Sequence, residues 1–362
     1  MAKLKIGIIG CGGIANGKHM PSLATCADAE MVAFCDIIVE RAKAAAEKFG
    51  IPGAAVYEDY HELLAREDID VVHVLTPNHM HAEISIAALK AGKHVMCEKP
   101  MAKTAAEAKA MVEAAKESGR KLSIGYQTRS DPAYQVARRL IKSGAIGDVY
   151  YVKAPSLRRR GVPTWGVFLD KEKQGGGPMI DIGTHSIDAA LFVIGNYDVE
   201  SVTGSVNYKL ADEVKDNGWG MWKPGEFTVE DSAMGFIKFK NGCTMYVEAS
   251  WALNFVTGSC PTFCGTKGGI ELRGGKVYLN GERANLVGEQ KCFEEEYQPT
   301  MNDHDKFKGE KLNNEQYEAH SWIDSILNDT PQPVQPEEAY TVSRIIEAIY
   351  ESAKTGKTIY FD

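Results

Sequence analysis

The feature that most constrains the fold is a glycine turn in the first fifteen residues. Lys5 to Ile9 reads as an apolar strand, and it runs into Gly10-Cys11-Gly12-Gly13-Ile14-Ala15. A helix is expected through His19 to Ala24, then a second strand, Glu30 to Cys35, that ends in Asp36. Strand, Gly-x-Gly-x-x-Ala turn, helix, strand and acid, in that order, describe a dinucleotide-binding unit. Gly10 permits the tight turn. Gly12, with Gly13 and Ile14, brings backbone N–H groups to a pyrophosphate at the helix N-terminus, and Ala15 lets helix and strand pack closely. Asp36 is placed to accept from a ribose 2′-hydroxyl and to repel a 2′-phosphate, which favours NAD over NADP. Arg41 nearby softens that preference.

Alternation continues to about residue 126. Strands are expected at Ile51–Tyr57, Val71–Leu75, His94–Cys97 and Lys121–Gly125, and helices at Val39–Phe49, Tyr60–Arg66, Met80–Ala91 and Thr104–Glu117. Thr104 with Glu107 three residues on has capping-box spacing. Such alternation makes a parallel sheet covered on both faces, whose strand ends line a ligand crevice. Those ends supply Thr76, Pro77, Asn78 and His81, then Glu98 and Lys99, then Tyr126, Gln127 and Arg129. Asn78 is expected to cap the helix after it. His81 either faces a ligand or sits in the first helical turn.

The pattern then changes. After a helix over Pro132–Ser143, strands cluster without helices between them: Val149–Ala154, Val199–Tyr208, Asp231–Phe239, Cys243–Trp251 and shorter runs through Gly269–Leu279. Asn241-Gly242 is a hairpin turn. Two helices, Glu315–Leu327 and Pro336–Lys354, and a short strand, Thr358–Phe361, close the chain. The expectation is an α/β Rossmann domain over 1–126 and an α+β domain with an open, mainly antiparallel sheet over 127–362, its C-terminal helix able to pack back on the first domain.

In the second domain, Gly175-Gly176-Gly177 leads to Asp181 and, four residues later, His185. A helix there places carboxylate and imidazole on one face. With Lys99 they make a proton-transfer group if the three converge.

The 362 residues carry a formal charge of −8 and no basic block, which argues against nucleic acid as a partner. No apolar run has the length of a membrane span, and Met1 to Lys5 leads straight into a strand without a signal-peptide core. Eight scattered cysteines, none in Cys-x-x-Cys, read as reduced cytosolic thiols. Asp303, His304 and Asp305 sit in a charged run that reads as solvated, and no metal is expected.

Together Gly10-x-Gly12-x-x-Ala15, Thr76-Pro77-Asn78-x-x-His81, Glu98-Lys99-Pro100 and Gly175-Gly176-Gly177-x-x-x-Asp181-x-Gly183-x-His185 resemble the Gfo/Idh/MocA oxidoreductases over essentially the whole chain. Position 15 is Ala where some relatives carry Gly. The resemblance implies NAD(P)-dependent redox chemistry on sugars, inositols or related polyols, with Lys99, Asp181 and His185 as the catalytic group. It also implies a homo-oligomer, dimer or tetramer, built through the outer face of the second sheet, and the cysteine usage above points to the cytoplasm. The run Arg158-Arg159-Arg160-Gly161-x-Pro163-x-Trp165-Gly166 resembles that of sugar- and glycoside-acting members, some of which oxidise a glucoside at C3. Arg158, Arg160, Trp165, Tyr126 and Arg129 are the substrate-side candidates, with Trp165 offering a flat face to a sugar ring. Trp219 and Trp222 lie in a glycine-rich loop that reads either as a lid or as ordinary packing. A glycosidase-like lyase or hydrolase that recycles NAD by oxidation and elimination would use the same residues; a third reading is a non-enzymatic NAD-sensing regulatory or scaffolding protein, against which the intact Lys99, Asp181 and His185 set argues.

Overall fold

The computed structural model describes residues 3–255, 260–284, 290–300, 306–307 and 310–362, with side chains at 283–284 and 290–293 left aside. The chain separates into two compact units. One comprises Met1–Gln127 and Leu312–Ser343, the other Thr128–Lys311 and Arg344–Asp362. The helix Pro336–Thr355 contributes residues to both.

The first unit holds a six-stranded parallel sheet. Its strands are β1 (Leu4–Ile9), β2 (Ala29–Cys35), β3 (Ala55–Tyr57), β4 (Val71–Val74), β5 (His94–Cys97) and β6 (Leu122–Ile124), in the order 3-2-1-4-5-6. The order reverses between β1 and β4, and the C-terminal ends there are where such sheets take ligands. β1 and β4 are apolar and buried along nearly their whole length, as strands covered on both faces must be. After the glycine turn comes one π-helical turn, Ala15–His19, before α1 (Met20–Leu23). The helices α2 (Val39–Phe49), α3 (Tyr60–Leu64), α4 (His81–Lys90) and α5 (Ala105–Ser118) follow. The capping box on α5 is present: Thr104 Oγ1 accepts from Glu107 N–H at 3.1 Å and Glu107 Oε2 from Thr104 N–H at 3.2 Å. Asn78 instead opens a 3₁₀ turn, Asn78–Met80, and α4 starts after it with Met80 at its N-cap.

The sequence division leaves residues 312–343 with the second domain, yet they are part of the first unit. The helix Asn314–Leu327 buries Ala319, Trp322 and Ile323 in the cluster formed by Met20, Leu23, Cys26 and Phe34. Trp322 is wholly buried there, an apolar burial worth about 2–3 kcal/mol.

The second unit is built on a nine-stranded sheet: β7 (Val149–Leu157), β8 (Val199–Asn207), β9 (Ser232–Phe239), β10 (Thr244–Ser250), β11 (Thr262–Gly265), β12 (Gly268–Arg273), β13 (Lys276–Ala284), β14 (Gln290–Tyr297) and β15 (Ile359–Tyr360), ordered 14-13-12-11-7-10-9-8-15. All neighbours are antiparallel except β7 and β10. The hairpin at Asn241-Gly242 forms, with Gly242 at φ +87°. Burial alternates along β9 and β10, so one face is core while the other shows Tyr151 and Phe236 to solvent. The helices α6 (Pro132–Lys142), α7 (Lys171–Gln174) and α8 (Thr184–Ile194) complete the unit.

Candidate active site

In the first unit the glycine turn follows β1. Gly10 has φ +92°, and a Cβ there would lie 2.7 Å from the backbone carbonyl of Leu75. Only glycine meets both conditions. A Cβ at Gly12 or Gly13 would meet nothing within 4 Å, so the turn's backbone faces open space. Asp36 braces the turn: Oδ2 accepts from Cys11 N–H and Oδ1 from Ile38 N–H, both at 2.8 Å. Each oxygen retains a further lone pair for a ribose hydroxyl. Ile14 stands exposed on the turn, and Arg41 is exposed on α2. Ile37, 85% exposed, and Ile38 follow Asp36, an apolar pair that a flat base would cover. Their exposure could not be read from the sequence. At the end of β4, Thr76 Oγ1 is buried with no hydrogen-bond partner among the described residues, and Pro77 is exposed. A cradle of open backbone, an acid at the second strand end and an orphaned hydroxyl fit a dinucleotide.

Several candidates are buried and engaged within the unit. His81 is 1% exposed, and its two ring nitrogens face carbonyl oxygens of Pro100 at 2.7 Å and Thr76 at 2.8 Å. Burial holds its pKa below the ordinary range. It ties the β4 end to the segment after Lys99 and presents nothing to a ligand. Tyr126 is likewise buried, at 1% exposure.

Glu98 turns inward as well. Its Oε1 accepts from Lys18 Nζ at 2.9 Å and lies 2.7 Å from His19 Nε2. Its Oε2 accepts from Lys99 N–H at 3.0 Å. Lys18 Nζ also reaches Glu318 at 2.9 Å and Gln127 at 3.3 Å. Burial alone would raise the Glu98 pKa, but Lys18 and His19 overcome it and hold the carboxyl well below the usual range. Burial would lower the Lys18 pKa, and Glu318 and Glu98 raise it instead. This buried charge cluster therefore clamps the backbone of Lys99, whose own side chain is only half-buried. Nothing in the sequence marks Lys18 or Glu318, which lie 300 residues apart.

In the second unit Glu230 anchors the acid–imidazole segment. Its carboxyl accepts from Gly177 N–H at 2.8 Å, Met179 N–H at 3.3 Å and Tyr350 Oη at 2.8 Å. Burial keeps its pKa raised. A Cβ at Gly177 would sit 2.2 Å from the Glu230 carbonyl oxygen. Gly177→Ala is therefore expected to cost about 1–3 kcal/mol, as over-packing does, and to lower kcat by displacing Asp181; denaturant melts with turnover assays check both.

The expected helix is present, but its first turn, Met179–Gly183, is π-helical before α8 begins. Asp181 and His185 straddle that change, so their four-residue spacing is not that of one regular α-helical face. The wide turn presses Gly183 against β10, where a Cβ would meet Met179 Sδ at 2.7 Å and Ala249 Cβ at 3.1 Å. Asp181 is buried, and its Oδ2 accepts from Trp251 Nε1 at 2.9 Å with Arg158 Nη1 at 4.0 Å. His185, at the start of α8, is half-buried. Arg158 leans over the Trp219 ring at 5.1 Å. Arg160 instead pairs with Asn254 Oδ1 at 2.6 Å. Trp165 is 53% exposed and edge-on to Trp219.

Arg129 is turned inward. It is 5% exposed and grips the fully buried Asp188 of α8 through Nε at 2.9 Å and Nη2 at 2.6 Å, which fastens the helix that carries His185. Trp222 is held by a bond from Nε1 to the Ala211 carbonyl at 2.9 Å and packs on Phe227. Asp303, His304 and Asp305 lie outside the described residues. No helix among the described residues is long and apolar enough to cross a membrane.

Residues 4–126 match the Gfo/Idh/MocA model described as an oxidoreductase family with an NAD-binding Rossmann fold, and residues 138–361 match that family's C-terminal alpha/beta domain. The chain is 35% identical over 360 residues to D-glucoside 3-dehydrogenase of Escherichia coli K12, covering 98% of this chain and 97% of that one. It is 33% identical over 270 residues to levoglucosan dehydrogenase of Pseudarthrobacter phenanthrenivorans, covering 69% and 68%. Among solved structures it is similar to an oxidoreductase domain protein from Kribbella flavida, with a TM-score of 0.85 at 26% identity and full coverage of both chains. It is similar also to levoglucosan dehydrogenase in complex with NADH and levoglucosan, with a TM-score of 0.82 at 26% identity and 99% of both chains covered.

Proposed function

The chain belongs to the Gfo/Idh/MocA family of NAD-binding oxidoreductases, and from that premise we propose that it oxidises a ring hydroxyl of a sugar, glycoside or polyol, C3 of a glucoside foremost. The observation that carries this reading is the buried Asp181 carboxylate, oriented by Trp251 one turn ahead of His185, in a chain matching a D-glucoside 3-dehydrogenase along its whole length.

NAD, when bound, supplies the hydride acceptor. Every other part falls to the chain. Gly10, Gly12, Gly13, Ile14 and Ala15 shape the pyrophosphate cradle. Asp36 selects the ribose 2′-hydroxyl over a 2′-phosphate, with Arg41 beside it. Thr76 Oγ1, Pro77 and Asn78 border the same end of the sheet. His185 takes the proton of the reacting hydroxyl. Asp181 orients the imidazole or holds neighbouring hydroxyls. Lys99 donates to the reacting oxygen, and its charge favours the alkoxide as the proton leaves. The reading extends to a cytoplasmic enzyme acting as a homo-oligomer, dimer or tetramer.

The test is a panel of sugars, inositols and glycosides with NAD and with NADP, following reduced-nicotinamide absorbance and product together. The expected result is net NADH with a keto-sugar product, and a weaker response to NADP. Product without net NADH would favour redox-neutral elimination, and no reaction with any polyol would overturn the reading.

A further inference from the structure

We propose that Trp219 and Trp165 form a platform for a flat, aromatic aglycone, so that the substrate class is the aryl glycosides. This rests on the function proposed above. Six side chains of the second unit close a ring. Arg158 Nη1 is 4.0 Å from Asp181 Oδ2, and the Arg158 guanidinium lies 5.1 Å over the Trp219 ring. Trp219 meets Trp165 edge-to-face at 5.1 Å and 71°. Trp165 meets Phe168 at 5.8 Å, and Phe168 meets Trp251 at 6.4 Å. Trp251 Nε1 returns to Asp181.

The two halves of this ring differ. Trp251 is wholly buried, while Trp165 and Trp219 are 53% and 46% exposed. Two indoles at a steep angle make an open apolar corner, and Met221, two residues after Trp219 in the chain, is 49% exposed. The corner is also held in place. Buried Asn217 donates to the Val162 carbonyl and accepts from Val162 N–H, both at 2.9 Å. The Thr164 hydroxyl donates to the Trp219 carbonyl at 2.6 Å. Fixed aromatic side chains bind with little ordering cost.

The steps through Arg158 bound the distance from the Asp181 carboxylate to the Trp219 ring at about 10 Å. A pyranose reacting beside Asp181 carries its anomeric substituent out to that range. The steep angle between the two indoles suits an aromatic group, which can meet one ring face-on and the other edge-on, better than a second sugar, whose C–H face stacks on a single flat ring.

The experiment compares phenyl glucosides, methyl glucosides and cellobiose in wild type, Trp219→Ala and Trp165→Ala. Turnover with NAD is measured, and binding in the presence of NADH is measured separately by calorimetry. Wild type is expected to prefer phenyl over methyl by about tenfold in kcat/KM and in affinity, and the ratio is expected to fall towards one in Trp219→Ala. A purely structural role would depress both substrates alike and leave the ratio standing, which would overturn the proposal. So would an equal response to phenyl and methyl in wild type, or a preference for cellobiose. A phenyl preference in binding that Trp219→Ala removes, without turnover of any glucoside, would keep the platform and overturn the proposed oxidation.

Discussion

Lys18→Met is expected to destabilise the protein by about 3–5 kcal/mol near neutral pH. The Lys18 ammonium is buried between Glu98 and Glu318, 2.9 Å from each. Methionine fills the volume and leaves two buried carboxylates within about 6 Å of one another, with no charge between them. The pH dependence should then change. In wild type, the folded pKa of Glu98 lies below its ordinary value of 4.5, so its contribution is complete above that value and drains away as the pH falls through the folded pKa. In the variant, Glu98 keeps His19 at 2.7 Å but loses Lys18, so burial draws its pKa up from the wild-type position. The penalty is then full at neutral pH and shrinks as acid protonates Glu98 in the variant before it does so in wild type. Urea melts of both proteins between about pH 7 and about pH 5 should show the gap narrowing on acidification. A gap that is small, or that widens as the pH falls, would contradict the buried arrangement. Because Glu98 also accepts from Lys99 N–H, the variant is expected to lose activity as well as stability.

How much of this could be read from the residues depends on the range of the interaction. Local signals carried through. The α2 and β5 spans match residue for residue, as does the capping box, because propensity and capping act over a few residues. The glycine turn was legible because its steric demand is local too, the Leu75 carbonyl being fixed by the neighbouring strand. Pairings between distant segments were not legible. The short strand β11 and the backbone pairing of β14 carry too little pattern to stand out, and the parallel match of β7 with β10 depends on the whole sheet. Arg129 and His81 look like ligand residues because their partners, Asp188 and two backbone carbonyls, are invisible in sequence. Conversely, Glu230 and Trp251 bear on Asp181 from 49 and 70 residues away, with no motif to announce them. The π-helical turn under Asp181 also escapes a reading that assumes regular α-helical spacing.

The central claim, that Lys99 stabilises the reacting oxygen while Asp181 and His185 manage its proton, meets its most direct test in Lys99→Ala. The alanine variant keeps the Glu98 clamp on the backbone, since that bond is made to the residue's N–H rather than its side chain. The Lys18 cluster and the glycine turn also remain. Fold and NADH affinity should therefore survive, while the interaction made only as the alkoxide develops is lost. Pre-steady-state NADH formation from a glucoside, paired with an NADH titration of the same preparation, separates the two. The account predicts that the rate falls by about 10²–10⁴-fold, with NADH binding unchanged within about twofold. A near-normal rate in that variant would contradict it.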